Sequence, residues 1–182
     1  HLLVKVAHGS AEINRSVDAM REEIKGDTVG LDAEWNRILN SRGIQTNRGK
    51  IQWIQIAYRN NDNNIRVLLI WVGGERSVLP MKLRLLLEDS SIRFAGNKVS
   101  GDLKYIAEDF NIGAMKAVDQ KKRENVINLG TYAKNRGVVN NANVKLSLLS
   151  ELTLGKAMDK SLQTSTWTKE LSDDQKQYAA ID

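Results

Sequence analysis

The stretch VGLDAEW at residues 29–35 decides the fold that we expect, because it has the pattern of an apolar strand that ends in two carboxylates. Residues two apart on a strand project to the same face, so Asp32 and Glu34 should lie side by side. Leu31 and Ala33 should point to the opposite face. Two neighbouring anions repel each other, and a fold that keeps them together usually places a cation between them. Asp-x-Glu is also common by chance, so a solvated strand end is the alternative at this point.

The composition indicates one globular domain and narrows the kind of metal it could bind. The chain has 182 residues, of which 41% are hydrophobic, and this is enough for one domain with a core. Cysteine is absent, which excludes disulfides, thiolate zinc sites and cysteine nucleophiles. The histidines are His1 and His8, so a metal bound deeper in the chain must be held by oxygen, as Mg²⁺ and Mn²⁺ are.

Charge and hydropathy indicate the kind of partner. The net charge of +5 suits a polyanion such as nucleic acid, although many unrelated proteins are equally basic. No apolar run approaches the ~20 residues of a membrane span, and no secretory signal is visible. We therefore expect an intracellular protein, nuclear if its source is eukaryotic, with no membrane partner. The chain begins with His1 rather than Met, so we expect it to be a piece of a longer protein.

Periodicity along the chain predicts strands first and then alternating helices and strands. The strands are expected at residues 2–7, 28–34, 50–59, 65–72, 92–97 and 126–129, of which the second to fourth should form an antiparallel meander. The helices are expected at residues 10–25, 80–88, 101–110, 130–134, 146–154 and 173–182. Ser10 is the predicted N-cap of the first helix, Ser172 and Gln175 form a capping box for the last, and polar residues 36–49 should form a loop. This order predicts an α/β fold with a mixed central sheet of about five or six strands and helices on both faces.

Three later residues have the chemistry to complete a site with the first two acids. Asp102 follows Gly101 at a predicted helix start directly after a strand, where an acid favoured by the helix dipole is the simpler explanation. Tyr178 and Asp182 lie four apart on the last predicted helix and share one face, as any amphipathic pair would. No single piece is specific. Their conjunction is an Asp-x-Glu ending a strand, an Asp opening a later helix and Tyr-x-x-x-Asp on a final helix.

Longer segments around these residues carry a resemblance that covers nearly the whole chain from about Asp27 onward. The segments are VGLDAEW at 29–35, NRGKIQWIQIAY at 47–58, FAGNKVSGDLKYIAEDF at 94–110, LSLLSELTLGKAMDKSLQTSTW at 146–167 and LSDDQKQYAAID at 171–182. Together they resemble the DEDDy-type 3′→5′ exonucleases of the ribonuclease H-like superfamily, and most of all the exonuclease domain of the Werner syndrome helicase and its relatives. The resemblance implies that residues 1–182 form a single 3′→5′ exonuclease domain of ribonuclease H-like fold. The last helix is then expected to continue beyond Asp182.

The resemblance also implies a set of metal ligands. Four acids are expected to bind two divalent cations, Mg²⁺ or Mn²⁺: Asp32, Glu34, Asp102 and Asp182. In such enzymes two cations about 3.5–4 Å apart serve the attacking and the leaving oxygen of an in-line displacement. Asp32 is expected to bridge them, with Glu34 and Asp182 beside the attacking water. Asp102 is expected to hold the cation at the leaving group.

The remaining site residues follow from the same resemblance. Tyr178 corresponds to the tyrosine that orients the attacking water, and a phenol of pKa ~10 is a poor base at neutral pH, which agrees with that role. A sister subclass has His five residues before the last acid, and that position here is Gln177. Glu34 and the backbone around Ala33 and Trp35 are expected to meet the terminal 3′-hydroxyl.

The expected function is metal-dependent hydrolysis of phosphodiester bonds from the 3′ end of DNA. Three alternatives stay open: a ribonuclease D-like 3′→5′ exoribonuclease, a non-catalytic nucleic-acid-binding module, and a structural domain with ordinary surface acids. Two basic stretches are further candidates for phosphate contact. They are Arg37, Arg42 and Arg48 in the predicted loop, and the run Lys121-Lys122-Arg123.

Overall fold

Six strands form a mixed sheet in the computed structural model, which describes residues 2–74 and 77–182. The strands are β1 (Leu2–Ala7), β2 (Thr28–Leu39), β3 (Gln45–Arg59), β4 (Ile65–Trp71), β5 (Arg93–Gly96) and β6 (Val126–Asn128). Their order across the sheet is β1-β4-β3-β2-β5-β6. Strands β2, β3 and β4 form the predicted antiparallel meander. Strand β1 pairs parallel with β4, and β5 is parallel to both β2 and β6.

The helices lie close to where the sequence pattern predicts them, except for a short helix at Gly113–Lys116 that was not predicted. They are α1 (Ser10–Glu23), α2 (Met81–Glu88), α3 (Val99–Asp109), α4 (Gly113–Lys116), α5 (Leu129–Asn135), α6 (Leu146–Leu154) and α7 (Asp173–Ile181). The predicted N-cap Ser10 is wrong, because Gly9 caps α1 with φ 75°, a conformation that glycine adopts readily. Helix α3 begins two residues before the predicted Gly101. Across residues 2–74 and 77–182, the structure contains no helix with the length and hydropathy to cross a membrane.

Helices cover both faces of the sheet, as the sequence predicts. On one face, Ile54 and Tyr58 of β3 pack in a core with α1, α2 and α3. On the other face, Trp53 of the same strand packs in a second core with Trp167 and with Tyr178 of α7. The alternation along β3 therefore separates the two cores, and α7 lies on the face of the sheet opposite the first three helices.

The predicted loop over residues 36–49 is wrong, because most of it is a β-hairpin. Strand β2 continues to Leu39 and β3 begins at Gln45, with Arg37 and Arg48 as paired residues. The side chains of this hairpin are largely exposed, so they carry no alternating apolar pattern. Backbone hydrogen bonds define the hairpin, and a polar sequence can supply those as well as an apolar one.

The pairing of β2 with β3 becomes irregular directly after the two acids. The register shifts between Glu34 and Trp35 and again between Trp35 and Arg37. At the same place Gly49 lies so close to Asn36 that a Cβ on the glycine would be 2.6 Å from the Asn36 carbonyl oxygen. Bulges of this kind bend a strand and turn its side chains, so the irregularity sets the direction in which the end of the acidic strand points.

Candidate active site

Strand β2 and the end of α7 bring three carboxylates together. Asp32 and Glu34 share one face of β2, and Leu31 and Ala33 of the same strand are buried in the core on the opposite face. Asp182 follows the last residue of α7. One oxygen from each of the three acids lies within 4.8 Å of the other two. The predicted capping box starts this helix: the Ser172 hydroxyl accepts a hydrogen bond from the Gln175 amide, and the Gln175 side chain accepts one from the Ser172 amide.

The fourth acid, Asp102, lines the same cleft but stands outside the tight group of three. It lies in the first turn of α3 and is 8% exposed. The end of β5 leads into this helix and passes close to β2, since a Cβ on Gly96 would lie 2.5 Å from the Leu31 carbonyl oxygen. A glycine is therefore needed there for α3 to start beside Asp32. The acidic cleft, which we define by these four carboxylates, has a volume of ≈ 980 Å³.

Burial and mutual repulsion raise the pKa values of three of these acids, Asp32, Glu34 and Asp102. Burial first, and then the Asp182 carboxylate, raise the pKa of Asp32 to about 7. Burial, followed by Asp32 and Asp182, raises the pKa of Glu34 to about 9. Burial and the charge of Asp32 also raise the pKa of Asp102 well above its ordinary value. A divalent cation among these oxygens would reverse all three effects, because it favours the ionised form of each ligand.

Tyr178 lies beneath the acids rather than on the open wall of the cleft. Its hydroxyl is shielded from solvent and has no hydrogen-bond partner among residues 2–74 and 77–182. Burial and the adjacent Asp182 carboxylate raise the pKa of this phenol above its ordinary value. Tyr178 is therefore neutral at physiological pH and can donate a hydrogen bond, but it cannot accept a proton as a base.

Trp35 and Ala33 lie where the resemblance places the 3′ end of a substrate. Trp35 lines the acidic cleft, and its ring meets the Tyr105 ring edge-on with the centres 5.7 Å apart. The Ala33 backbone also lines the cleft, although its amide donates to a carboxylate oxygen of Asp32 at 2.8 Å. Trp35 also packs against the core on the face of the sheet that carries α1, α2 and α3, while Glu34 is buried at the cleft.

The arginines of the hairpin divide between packing and the cleft. Arg48 donates two hydrogen bonds to Asp109, at 2.8 and 2.9 Å, and lies over the Tyr105 ring at 4.1 Å. It is thus used to fix the hairpin against α3. Arg42 is exposed in the hairpin turn, whereas Arg37 lines the acidic cleft. Only Arg37 of the three stands at the position expected for phosphate contact.

Lys160 is a cleft residue that the sequence analysis missed. Its ammonium forms an ion pair with the Asp182 carboxylate and lies 5.4 Å from the centre of the Tyr178 ring. The segment between α6 and α7 that carries it contains no helix or strand. A lysine in such a polar segment resembles any solvated lysine, so its role depends on a tertiary contact that no local pattern reveals.

Gln55 was missed as well, although the sequence contained a signal for it. It is the residue directly opposite Asp32 in the β2–β3 register, and it is 4% exposed. Neither polar atom of its carboxamide has a hydrogen-bond partner among the described residues. A single glutamine within an otherwise apolar strand face is the signal that points to such a buried polar group.

The cleft has the donor set of a site for a hard divalent cation. It offers four carboxylates, all oxygen ligands of the type that Mg²⁺ and Mn²⁺ prefer. Three of them are protonated more readily than usual, because they are buried and lie close to other carboxylates. The cation-binding chemistry of these residues therefore fits what the resemblance implies.

Comparisons with known proteins agree with this geometry. The family model described as 3′-5′ exonuclease matches residues 10–182. The mouse (Mus musculus) bifunctional 3′-5′ exonuclease/ATP-dependent helicase WRN is 31% identical over 160 residues, which make up 86% of this chain. The chain spans 10% of the length of that protein.

Solved structures share the fold at lower sequence identity. The EXO domain of Aedes aegypti Nibbler superposes with a TM-score of 0.72 and 17% identity, over 98% of this chain and 81% of that one. Escherichia coli RNase D superposes with a TM-score of 0.71 and 18% identity, over 98% of this chain and 41% of that one. The expected ribonuclease H-like fold is thereby confirmed. Because the family match extends over nearly the entire sequence, the chain belongs to the 3′-5′ exonuclease family.

Proposed function

We propose that this domain removes nucleotides from the 3′ end of DNA, and that its acidic cleft holds two divalent cations for the reaction. The observation that carries the proposal is the convergence of Asp32, Glu34 and Asp182 within 4.8 Å, beside Asp102 in one cleft. The exonuclease family and the identity to the WRN protein support the same reaction. The bound cations would lower the pKa of the attacking water and stabilise the leaving oxygen.

The positions of the acids support distinct roles for them. The charges of Asp32 and Asp182 both raise the pKa values of Glu34 and Asp102, and in each case Asp32 has the larger effect, which suits a ligand shared between two cations. Glu34 and Asp182 form a tight group with Asp32, in which one oxygen from each acid lies within 4.8 Å of the other two. Asp102 lies apart from that group and suits the other cation. These assignments match the order that the resemblance implies.

Tyr178 and Trp35 supply orientation rather than charge. The unpartnered Tyr178 hydroxyl lies beside Asp182, so it can donate to a water or a phosphate oxygen held at that acid. This supports membership of the subclass that uses tyrosine. Trp35 and the backbone of Ala33 form the wall beside Glu34, where a terminal nucleotide would stack and its 3′-hydroxyl would meet the carboxylate.

The decisive experiment digests matched DNA strands labelled at the 3′ or the 5′ end, with Mg²⁺ or Mn²⁺ and then with excess chelator. We expect immediate loss of the 3′ label, a ladder from the 5′-labelled strand, and no reaction in chelator. The Asp32→Asn variant should be inactive. Binding without turnover would make the domain a non-catalytic binding module, and release of the 5′ label first would reverse the polarity.

RNA is the second candidate substrate, and one observation favours it. Nearly the full chain superposes on Escherichia coli RNase D, which is described as an exoribonuclease involved in structured RNA processing. Digestion of DNA and RNA strands of the same sequence, with kcat/KM measured for each, distinguishes the two. The higher identity to the WRN protein supports DNA, and a larger kcat/KM for RNA would overturn that preference.

A further inference from the structure

A second groove lies beside the acidic cleft and opens into it. It has a volume of ≈ 690 Å³ and shares Asn97, Lys98 and Asn143 with the cleft. Its far wall is formed by α5 and by the turn that carries Lys121. A nucleic-acid strand lying across Asn97 and Lys98 would therefore contact both the cleft and the groove.

The chemistry of this groove is the opposite of that in the cleft. No carboxylate lines it in the described part of the chain, and its polar groups are mainly the amides of Asn97, Asn128, Asn135 and Asn143. Its two cations are Lys98 and Lys121. Neither ammonium has an ion pair or a hydrogen bond within residues 2–74 and 77–182. Unpaired cations among neutral donors suit an anionic backbone that is held without reading sequence.

Local contacts define the backbone at the two lysines. Arg123, the last residue of the Lys-Lys-Arg run, turns inward and donates to the Leu87 carbonyl at 3.2 Å. The Asp119 carboxylate caps the same turn by accepting from the Lys121 amide at 3.0 Å. Lys98 has φ 64° at the start of α3, a conformation that residues other than glycine adopt only where their surroundings impose it. Of the basic run, Lys121 therefore faces the groove, while Arg123 packs against the core.

An aromatic ring and a free acceptor complete the groove. Tyr132 of α5 is 49% exposed and has the Arg136 guanidinium 4.9 Å from its ring centre. Such a ring offers a face on which any base can stack. At the junction with the cleft, the Asn97 side-chain oxygen is shielded from solvent and has no donor among the described residues. Base amino and imino groups are donors of the kind that it lacks.

We propose that this groove binds the single strand on the 5′ side of the nucleotide being removed. Lys98 and Lys121 contact its phosphates, and Tyr132 stacks on one of its bases. The inference rests on the proposed exonuclease function, since the acidic cleft is taken to hold the 3′ end. The groove would give the strand a binding surface outside the cleft, and membership of the exonuclease family does not by itself imply this surface. Holding the strand away from the acids keeps its phosphates clear of four negative charges.

The test compares a long and a minimal substrate, with binding and hydrolysis measured separately. Binding of a fluorescent single strand of about 12 nucleotides is measured by anisotropy in chelator, where no cleavage occurs. Lys98→Ala combined with Lys121→Ala should weaken this binding about tenfold and should reduce the salt dependence by about 1.4 in log–log slope. Because Lys98 also lines the cleft, the minimal substrate is tested with Lys121→Ala alone, for which the KM of a dinucleotide should change far less than the binding of the long strand. Lys122→Ala is the matched control, because Lys122 is exposed in the same run but does not line the groove.

The aromatic contact has its own pair of variants. Tyr132→Ala should weaken binding of the long strand, and Tyr132→Phe should retain it, because phenylalanine keeps the stacking face. Wild-type affinity in the double lysine variant, or an equal loss for the dinucleotide and the long strand in Lys121→Ala, would overturn the proposal. If the wild-type protein binds the long strand through these residues but hydrolyses no substrate, the exonuclease proposal fails while the groove stands.

Discussion

The acidic cleft and the groove beside it differ in charge although they share a wall. The cleft gathers four acids, and the pKa values of Asp32, Glu34 and Asp102 are raised because these charges are buried together. The groove has no acid among its described lining residues and presents amides with two unpaired lysines. The acids are useful only with cations bound, whereas the groove can attract a phosphate backbone by itself. The acids proposed to carry out hydrolysis thus lie on one side of the shared wall, and the lysines proposed to bind the strand lie along the groove on the other side.

The largest expected effect is that of Asp32→Asn, which should remove catalysis without unfolding the protein. If Asp32 is shared between two cations as proposed, its loss should lower kcat by about 10³-fold or more, since each cation would contribute several kcal/mol to the transition state. In chelator the same variant should unfold at a higher temperature than wild type, because asparagine removes a buried charge that the Asp182 carboxylate repels. Thermal unfolding in chelator and kcat in Mn²⁺ measure the two effects.

A lower unfolding temperature of Asp32→Asn in chelator would contradict the raised pKa of this acid. The matched control is Asp62→Asn, since Asp62 lies in the exposed β3–β4 turn outside the cleft. It should leave both measurements near the wild-type values. Retained activity in Asp32→Asn would instead show that the cations bind elsewhere.

The second effect is the pH dependence of stability, which should differ between the metal-free and the metal-bound protein. Asp32 and Glu34 have folded-state pKa values of about 7 and about 9, both above those of the unfolded chain. Between about pH 4 and pH 9 the folded state then binds more protons than the unfolded state, so metal-free stability should fall as the pH rises. Cations displace these protons. At neutral pH or above, protons compete less for the carboxylates. Free Mn²⁺ at about 100 times its Kd should then add about 2.7 kcal/mol to the free energy of unfolding.

Scanning calorimetry from pH 5 to pH 9, with chelator or with Mn²⁺, checks this sign. Metal-free stability that rises across the same window would show that the acids are not held as the structure has them. Asp32→Asn provides the internal control, because removal of one titrating acid should flatten the metal-free slope.

The segments that sequence predicted well are those whose signals are local. The capping box at Ser172 and the helical spacing of Tyr178 and Asp182 place α7 correctly, and alternation along β2 places Asp32 and Glu34 on one face. Each of these signals depends on residues within about one or two turns of each other.

The features that sequence missed depend on partners far along the chain. The β2–β3 hairpin is defined by backbone pairing between exposed polar residues, so no hydrophobic pattern marks it. Lys160 belongs to a segment without helix or strand, and only the fold brings it to Asp182, 22 residues later. The groove is likewise invisible in sequence, because Lys98 and Lys121 meet across elements that lie side by side only in the sheet order.

The third effect concerns Lys160, the cation that stands among the acids in this structure. Lys160→Met keeps a side chain of similar length and removes the charge paired with Asp182. Because Asp182 is nearly buried and Lys160 is partly exposed, metal-free stability should fall by about 2 kcal/mol. The cations and the ammonium compete for the same carboxylate, so Mn²⁺ should stabilise this variant more than it stabilises wild type.

Thermal unfolding with and without Mn²⁺ measures both quantities for Lys160→Met. Lys156→Met is the matched control, since Lys156 is an exposed lysine of the same segment outside the cleft. If Mn²⁺ raises the unfolding temperature of Lys160→Met and of wild type equally, the Lys160 ammonium does not compete with the cations for Asp182. Lys160 would then have no part in the charge balance of the cleft.

The smallest effect addresses how independent the two regions are. The Asn128 side-chain oxygen lies in the groove and accepts hydrogen bonds from the Ser100 amide at 3.3 Å and the Ser100 hydroxyl at 3.2 Å. Ser100 is two residues before Asp102, so this amide of the groove helps to fix the start of the helix that carries a cleft acid. Asn128→Ala should cost about 1 kcal/mol of stability and should lower kcat severalfold on the dinucleotide and the long strand alike. Asn135→Ala, which removes a groove amide with no bond to α3, should act on the long strand alone. If Asn128→Ala also affects only the long strand, its hydrogen bonds to Ser100 do not influence Asp102. Strand binding in the groove would then be independent of hydrolysis in the cleft.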